Sequence, residues 1–94
     1  MVFRSEAEQE FEYAHDYYNS IRRELGLQFL TQVEIVLTRI SLHPQIHQVV
    51  FEDIRKGVVK RFPYCVFYRA HPDRIEVISV FDARQDPKLW QSRV

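Results

Sequence analysis

The feature that most constrains this chain is a change of apolar period at His43-Pro44. Before that point apolar residues recur every three or four positions. After it they alternate within short runs rich in β-branched and aromatic residues. Proline has no amide hydrogen and clashes with a preceding helical turn, so the helical part must stop near His43. One half is set to make helices and the other strands, an order that leads to helices packed on one face of a sheet.

In the first half, Ala7, Phe11, Ala14, Tyr18, Ile21 and Leu25 form a single helical stripe. Ser5 with Glu8 reads as a capping box, and Glu6, Glu8 and Glu10 lie near the positive end of the helix it opens. Gly26 is placed at the end of that helix or the start of the turn. A second helix carries Leu27, Leu30, Val33, Leu37 and Ile40, widened by Phe29 and Val36, and the short connection makes an αα-hairpin. In the second half, Ile54–Phe62, Tyr64–Ala70 and Ile75–Phe81 are the expected strands. Pro63 interrupts pairing, and His71-Pro72-Asp73-Arg74 supplies a hairpin turn. In the last strand Ile75, Val77, Ser79 and Phe81 should face one side, with Glu76, Ile78 and Val80 on the other. Val2–Arg4 is a candidate short first strand, and Gln45–Asp53 fits loop or strand equally well. The expected fold class is α+β, an N-terminal αα-hairpin on an antiparallel three- to four-stranded sheet, in one domain over residues 1–94.

The chain is neutral overall, yet its charge is segregated. Residues 1–54 hold four Lys/Arg against nine Asp/Glu, a net of −5, and residues 55–94 hold nine against four, a net of +5. Such a chain is expected to offer a cationic surface to an acidic partner. A hydrophobic fraction of 46% separates it from disordered segments. Met1–Glu10 is charged, unlike a signal peptide, and no stretch approaches the roughly 20 apolar residues of a membrane span. One cysteine, Cys65, excludes an intrachain disulfide or a multi-cysteine zinc site, and the expected setting is a reducing cytoplasm.

Arg55, Lys56, Lys60 and Arg61 are expected to alternate across one strand, with Arg69, Arg74, Arg84, Lys88 and Arg93 on neighbouring elements. Together they read as a surface for phosphates or acidic side chains, and singly as solvated positions on a sheet face. His43 and His47 are four apart, but Pro44 breaks the helix that would align them, so no metal site is assigned. His71 falls in a turn without an evident nucleophile, and Cys65 reads as a buried thiol. Tyr13 and Tyr17 flank the first helical stripe, as boundary packing or as a patch for an apolar segment. Trp90 reads equally as a partner anchor and as a cap on its own core. No phosphate loop, catalytic triad or paired carboxylate argues for a cofactor.

Phe62-Pro63-Tyr64 enters a strand ending in Tyr68-Arg69. A hairpin and a Val-rich strand follow, closing on Ala83-Arg84-Gln85-Asp86-Pro87. With two helices and a His-Pro stop upstream, this order resembles the RelE/ParE superfamily of bacterial toxins, most closely over Arg55–Pro87. Families of this kind usually open with a longer first strand than this chain has. The resemblance implies a toxin of a type II toxin–antitoxin pair. Its cognate antitoxin would be acidic, with a disordered C-terminal segment, and a homodimer or a hetero-oligomer with antitoxin is the assembly to expect. In the RelE branch, a ribosome-dependent mRNA endonuclease, cations and an aromatic hydroxyl serve metal-free cleavage. Lys56 and Arg84 match such positions, whereas Val58, Cys65 and Trp90 stand where two further cations and a tyrosine would. The resemblance therefore leans to the ParE branch, whose members bind and inhibit DNA gyrase. RelE-type cleavage on the ribosome and a degenerate fold that only binds antitoxin are the alternatives. The partner-binding residues this suggests are Arg55, Lys56, Lys60, Arg61, Tyr68, Arg84, Lys88 and Trp90, with Ala83–Val94 as an exposed tail for the target.

Overall fold

The computed structural model describes residues 1–94. The elements run β1 (Val2–Phe3), α1 (Ser5–Ile21), α2 (Arg23–Leu42), β2 (Val49–Phe51), β3 (Ile54–Val58), β4 (Tyr64–Ala70), β5 (Ile75–Asp82) and α3 (Lys88–Gln91). The helices α1 and α2 pack on one face of a five-stranded sheet of order β1-β5-β4-β3-β2. The α+β class and the helical hairpin are as expected. The sheet is wider than expected and mixed, because β1 forms and pairs with β5 in parallel while the other neighbours are antiparallel.

The turn between the helices falls earlier than the glycine suggested. Arg22 is the sole residue between them, with φ −165° and ψ 135°, and it caps both. Gly26 lies inside the first turns of α2, buried against α1, where an added Cβ would stand 2.9 Å from the Cβ of Asn19. The glycine permits close approach of two helices rather than ending one. The capping box is also absent. Arg4 holds the N-cap position without a side-chain cap, and the Ser5 hydroxyl donates instead to Glu6 at 3.3 Å.

Phe29, Val33, Val36 and Ile40 form the buried face of α2, displaced by part of a turn from the stripe led by Leu27, which is exposed. By length and composition α2 is apolar enough to cross a bilayer, against the expectation for this sequence, but in this fold those four residues are buried in the core between helices and sheet.

They meet Val59, Val66, Tyr68, Val77 and Val80 in the main core. The expected alternation along β5 fails at one point. A bulge opposite Phe67–Tyr68 inserts an extra residue, so that Val77 and Val80 both join the main core while Ile78 and Phe81 join the opposite cluster. That second cluster, on the sheet face away from the helices, contains Ile54, Cys65, Phe67, Ile78, Phe81 and Trp90. Strand β3 stops at Val58 rather than Phe62, so Lys60 and Arg61 occupy the turn into β4.

Candidate functional site

The cationic excess of the second half does not form one surface, because most of its arginines already have carboxylate partners. Arg84 grips Asp82 through Nε at 2.9 Å and Nη2 at 2.7 Å. Arg69 binds Asp53 at 2.9 Å, Arg74 binds Asp73 at 3.0 Å and Arg93 binds Glu10 at 2.8 Å. Arg55 has no acid partner, yet its guanidinium donates to the carbonyls of Gln45 and His47 at 3.1 and 2.7 Å, fastening the Pro44–Gln48 connection over the sheet. Lys56, Lys60, Arg61 and Lys88 keep cationic groups without any ion pair.

Two of these meet a third cation that the strand pattern did not reveal. Arg39 of α2 joins Lys60 and Arg61 around a shallow depression that also includes Ile35, Val36 and Val58. Ile35 is 43% and Val58 60% exposed, so apolar surface lies open between cationic groups. The signal for Arg39 was helical rather than strand-like, since it stands four and three residues after Ile35 and Val36. Arg61 adopts a positive φ of 69°, a conformation that favours glycine. A cationic side chain held in a costly backbone conformation beside two others is a functional indication.

The backbone at this depression is also open. In the β3–β4 ladder Val59 N–H donates to Tyr64 O, and Lys56 N–H turns the other way to Gln48 O. By the same alternation the peptide groups of Val58 point outward, past the end of the short β2. Cationic, apolar and unpaired strand groups thus share one edge of the molecule.

Other expected partner residues lie elsewhere. Tyr68 is fully buried and its hydroxyl donates to Pro44 O at 2.7 Å, so it fastens the connection after α2 and offers nothing to a partner. Trp90 is 1% exposed and stacks on Phe67 at 4.0 Å between ring centres. Its Nε1–H is buried without an acceptor. The tail is folded back at Trp90, where the indole covers the sheet's outer face and Arg93 ties the segment to α1, while residues 83–89 stay exposed. Lys88 remains exposed on α3.

The two residues that match nuclease cations, Lys56 and Arg84, stand on different segments of the fold. Val58 pairs directly with Cys65, whose thiol is buried and pushed up in pKa by that burial. Lys56 pairs with Phe67 in mid-sheet, whereas Arg84 lies beyond the end of β5 and is occupied by Asp82. Among the histidines, His71 Nε2 lies 2.9 Å from Glu76, and His47 is held over Gly57 with its Nε2 buried and unpartnered. Burial first, then Arg39 and Arg55, lower the pKa of His47.

Residues 1–87 match the family described as "ParE toxin of type II toxin-antitoxin system, parDE". A solved structure described as the "Chromosomal ParDE TA system from P. aeruginosa" is similar with a TM-score of 0.73. The two share 12% identity over 85% of this chain and 90% of that chain, a likeness of fold. No curated protein matches the sequence.

Proposed function

Since the chain belongs to the ParE toxin family of type II toxin–antitoxin systems, we propose that it acts in the cytoplasm by binding and inhibiting DNA gyrase. A cognate antitoxin neutralises it. The observation that carries the choice of a binding action over RNA cleavage is the pairing of Val58 with buried Cys65, where a nuclease of this superfamily would need cations. Neither side chain stabilises a phosphate, and Trp90 cannot supply an acidic hydroxyl.

The antitoxin segment best suited to the Arg39–Lys60–Arg61 depression is acidic and amphipathic. Its carboxylates would meet the three cations, its apolar residues Ile35 and Val58, and its backbone the outward peptide groups of Val58. A segment disordered until bound loses conformational entropy on docking, which buried apolar contacts offset, while opposite charges speed encounter. The same depression would be closed to other partners when occupied.

The test is a pair of assays on purified protein, gyrase supercoiling with detection of trapped cleavage complexes, and mRNA cleavage in a translating ribosome extract. Inhibition of gyrase that added antitoxin relieves is the expected result. Codon-phased mRNA cleavage with gyrase unaffected would replace this reading with the RelE-type one.

A further inference from the structure

We propose that the open edge of β2 pairs with the same edge of a second copy of this chain, about a two-fold axis at Val49. The contact uses no charged group of the cationic depression, so it stands whether or not an antitoxin binds there.

Ile40 to Phe51 is the longest run in the sequence without Asp, Glu, Lys or Arg. The fold brings this run to the rim of the molecule, from the last turn of α2 through the connection and into β2, the outermost strand. Leu42, Ile46, Val49 and Val50 are 42–69% exposed there. Edge strands are ordinarily guarded by charge, most often lysine, and β2 reads Val-Val-Phe. Open apolar side chains beside an unguarded strand edge mark a contact surface.

The backbone decides what fits. Lys56 N–H donates to Gln48 O, so Gln48 faces β3. Val49, opposite Arg55 in the register, is then the non-hydrogen-bonded neighbour and turns its N–H and C=O to the open side. Arg55 bonds the carbonyls of Gln45 and His47 and stops short of them. The bulge that follows, and the three-residue length of β2, leave this one residue free to pair. One donor and one acceptor on a single residue are satisfied by the same residue of an antiparallel copy, which exchanges both bonds across a two-fold axis. Charges near such an axis would meet like charges, and this patch has none. Glu52, the nearest charge on the hairpin, falls opposite the second copy's Ile46. The depression of Arg39, Lys60 and Arg61 would instead repel its own copy. Two hydrogen bonds hold little, so Leu42, Ile46 and Val50 supply the rest by burial. So small a contact falls below the roughly 800 Å² per partner of a standard interface, which makes the dimer weak and concentration-dependent.

Sedimentation of the full chain between about 10 µM and about 1 mM should show the average mass rising towards that of a dimer. Solvent exchange of the Val49 amide should slow over the same range. Val49→Lys sets two like charges at the axis and should weaken association at least about tenfold. Val58→Lys, also at an exposed position, should leave it unchanged. Circular dichroism should show both variants folded, since neither side chain belongs to the core. Raising salt from about 0.05 M to about 0.5 M should not weaken the dimer, whereas head-to-tail pairing of the acidic half with the cationic depression would be screened. A mass that stays monomeric to about 1 mM, association lost with salt, indifference to Val49→Lys, or equal loss from Val58→Lys would overturn the proposal.

Discussion

Replacing Arg61 by glycine separates the demands of folding from those of binding. Arg61 holds φ at 69°, where a side chain costs roughly 1–2 kcal/mol and glycine nothing. Glycine in turn loses about 0.5–1 kcal/mol more backbone entropy on folding. The difference leaves Arg61→Gly more stable by about 0.5–1 kcal/mol, a rise in melting temperature of about 2–8 °C for a chain this size. Nothing opposes the gain, since the Arg61 side chain is exposed and makes no hydrogen bond in the folded chain. Binding should move the other way. Removing one exposed cation from the Arg39–Lys60–Arg61 group should weaken the antitoxin tail about two- to fivefold at low salt, and less at high salt as screening takes over. Glu52 is the internal control. It has the other positive φ, 52°, in the β2–β3 turn away from the depression, so Glu52→Gly should gain similar stability without weakening binding. Thermal unfolding by circular dichroism and calorimetric titration of the tail read both quantities. A fall in melting temperature for Arg61→Gly alone, or unchanged affinity at low salt, would refute the reasoning.

Trp90→Ala should cost about 3–5 kcal/mol in urea unfolding, because the indole is 1% exposed and stacked on Phe67. Gly26→Ala should destabilise although alanine is the better helix former by about 1 kcal/mol, because the new Cβ would stand 3.0 Å from the backbone of Asn19; chemical unfolding that shows a gain would contradict the close-approach account. His47 titrates below its usual 6.5 in the folded protein, so the unfolded chain binds the proton first. Stability should therefore be level just above pH 6.5 and fall as pH drops towards the lowered value, and His47→Gln should flatten that slope in unfolding measured between about pH 7 and pH 5.

What was legible in the sequence followed from periodicity and from proline. The helical hairpin, the stop at Pro44 and the strands Tyr64–Ala70 and Ile75–Asp82 each rest on a pattern repeated over several residues. What was not legible depended on single contacts at a distance. Gly26 looks like a terminator until Asn19 is brought beside it, and nothing local distinguishes the two roles. The bulge at β5 answers to the register of β4, so alternation read along β5 alone could not show it. At the candidate site, Lys60 and Arg61 were visible as charges, but Arg39 joins them only because α2 packs above the β3–β4 turn. Tyr68 reads as a partner residue by chemical type, and Trp90 equally as a partner anchor or a cap on its own core. Burial decides both, through a carbonyl acceptor for Tyr68 and a stacking partner that makes Trp90 the cap.

The parallel pairing of Val2 and Phe3 with Glu76 and Val77 has a consequence for how the protein emerges from the ribosome. At about 5–20 residues per second, the helical hairpin is complete several seconds before its sheet exists. Through that interval Phe29, Val33 and Val36 have no strand to cover them, and the N-terminal strand has no partner. The outer face of the sheet waits longer still, for Trp90. Translation itself therefore delays the appearance of a finished surface. A nascent chain stalled before residue 75 would display α2's apolar face to whatever binds exposed hydrophobic helices.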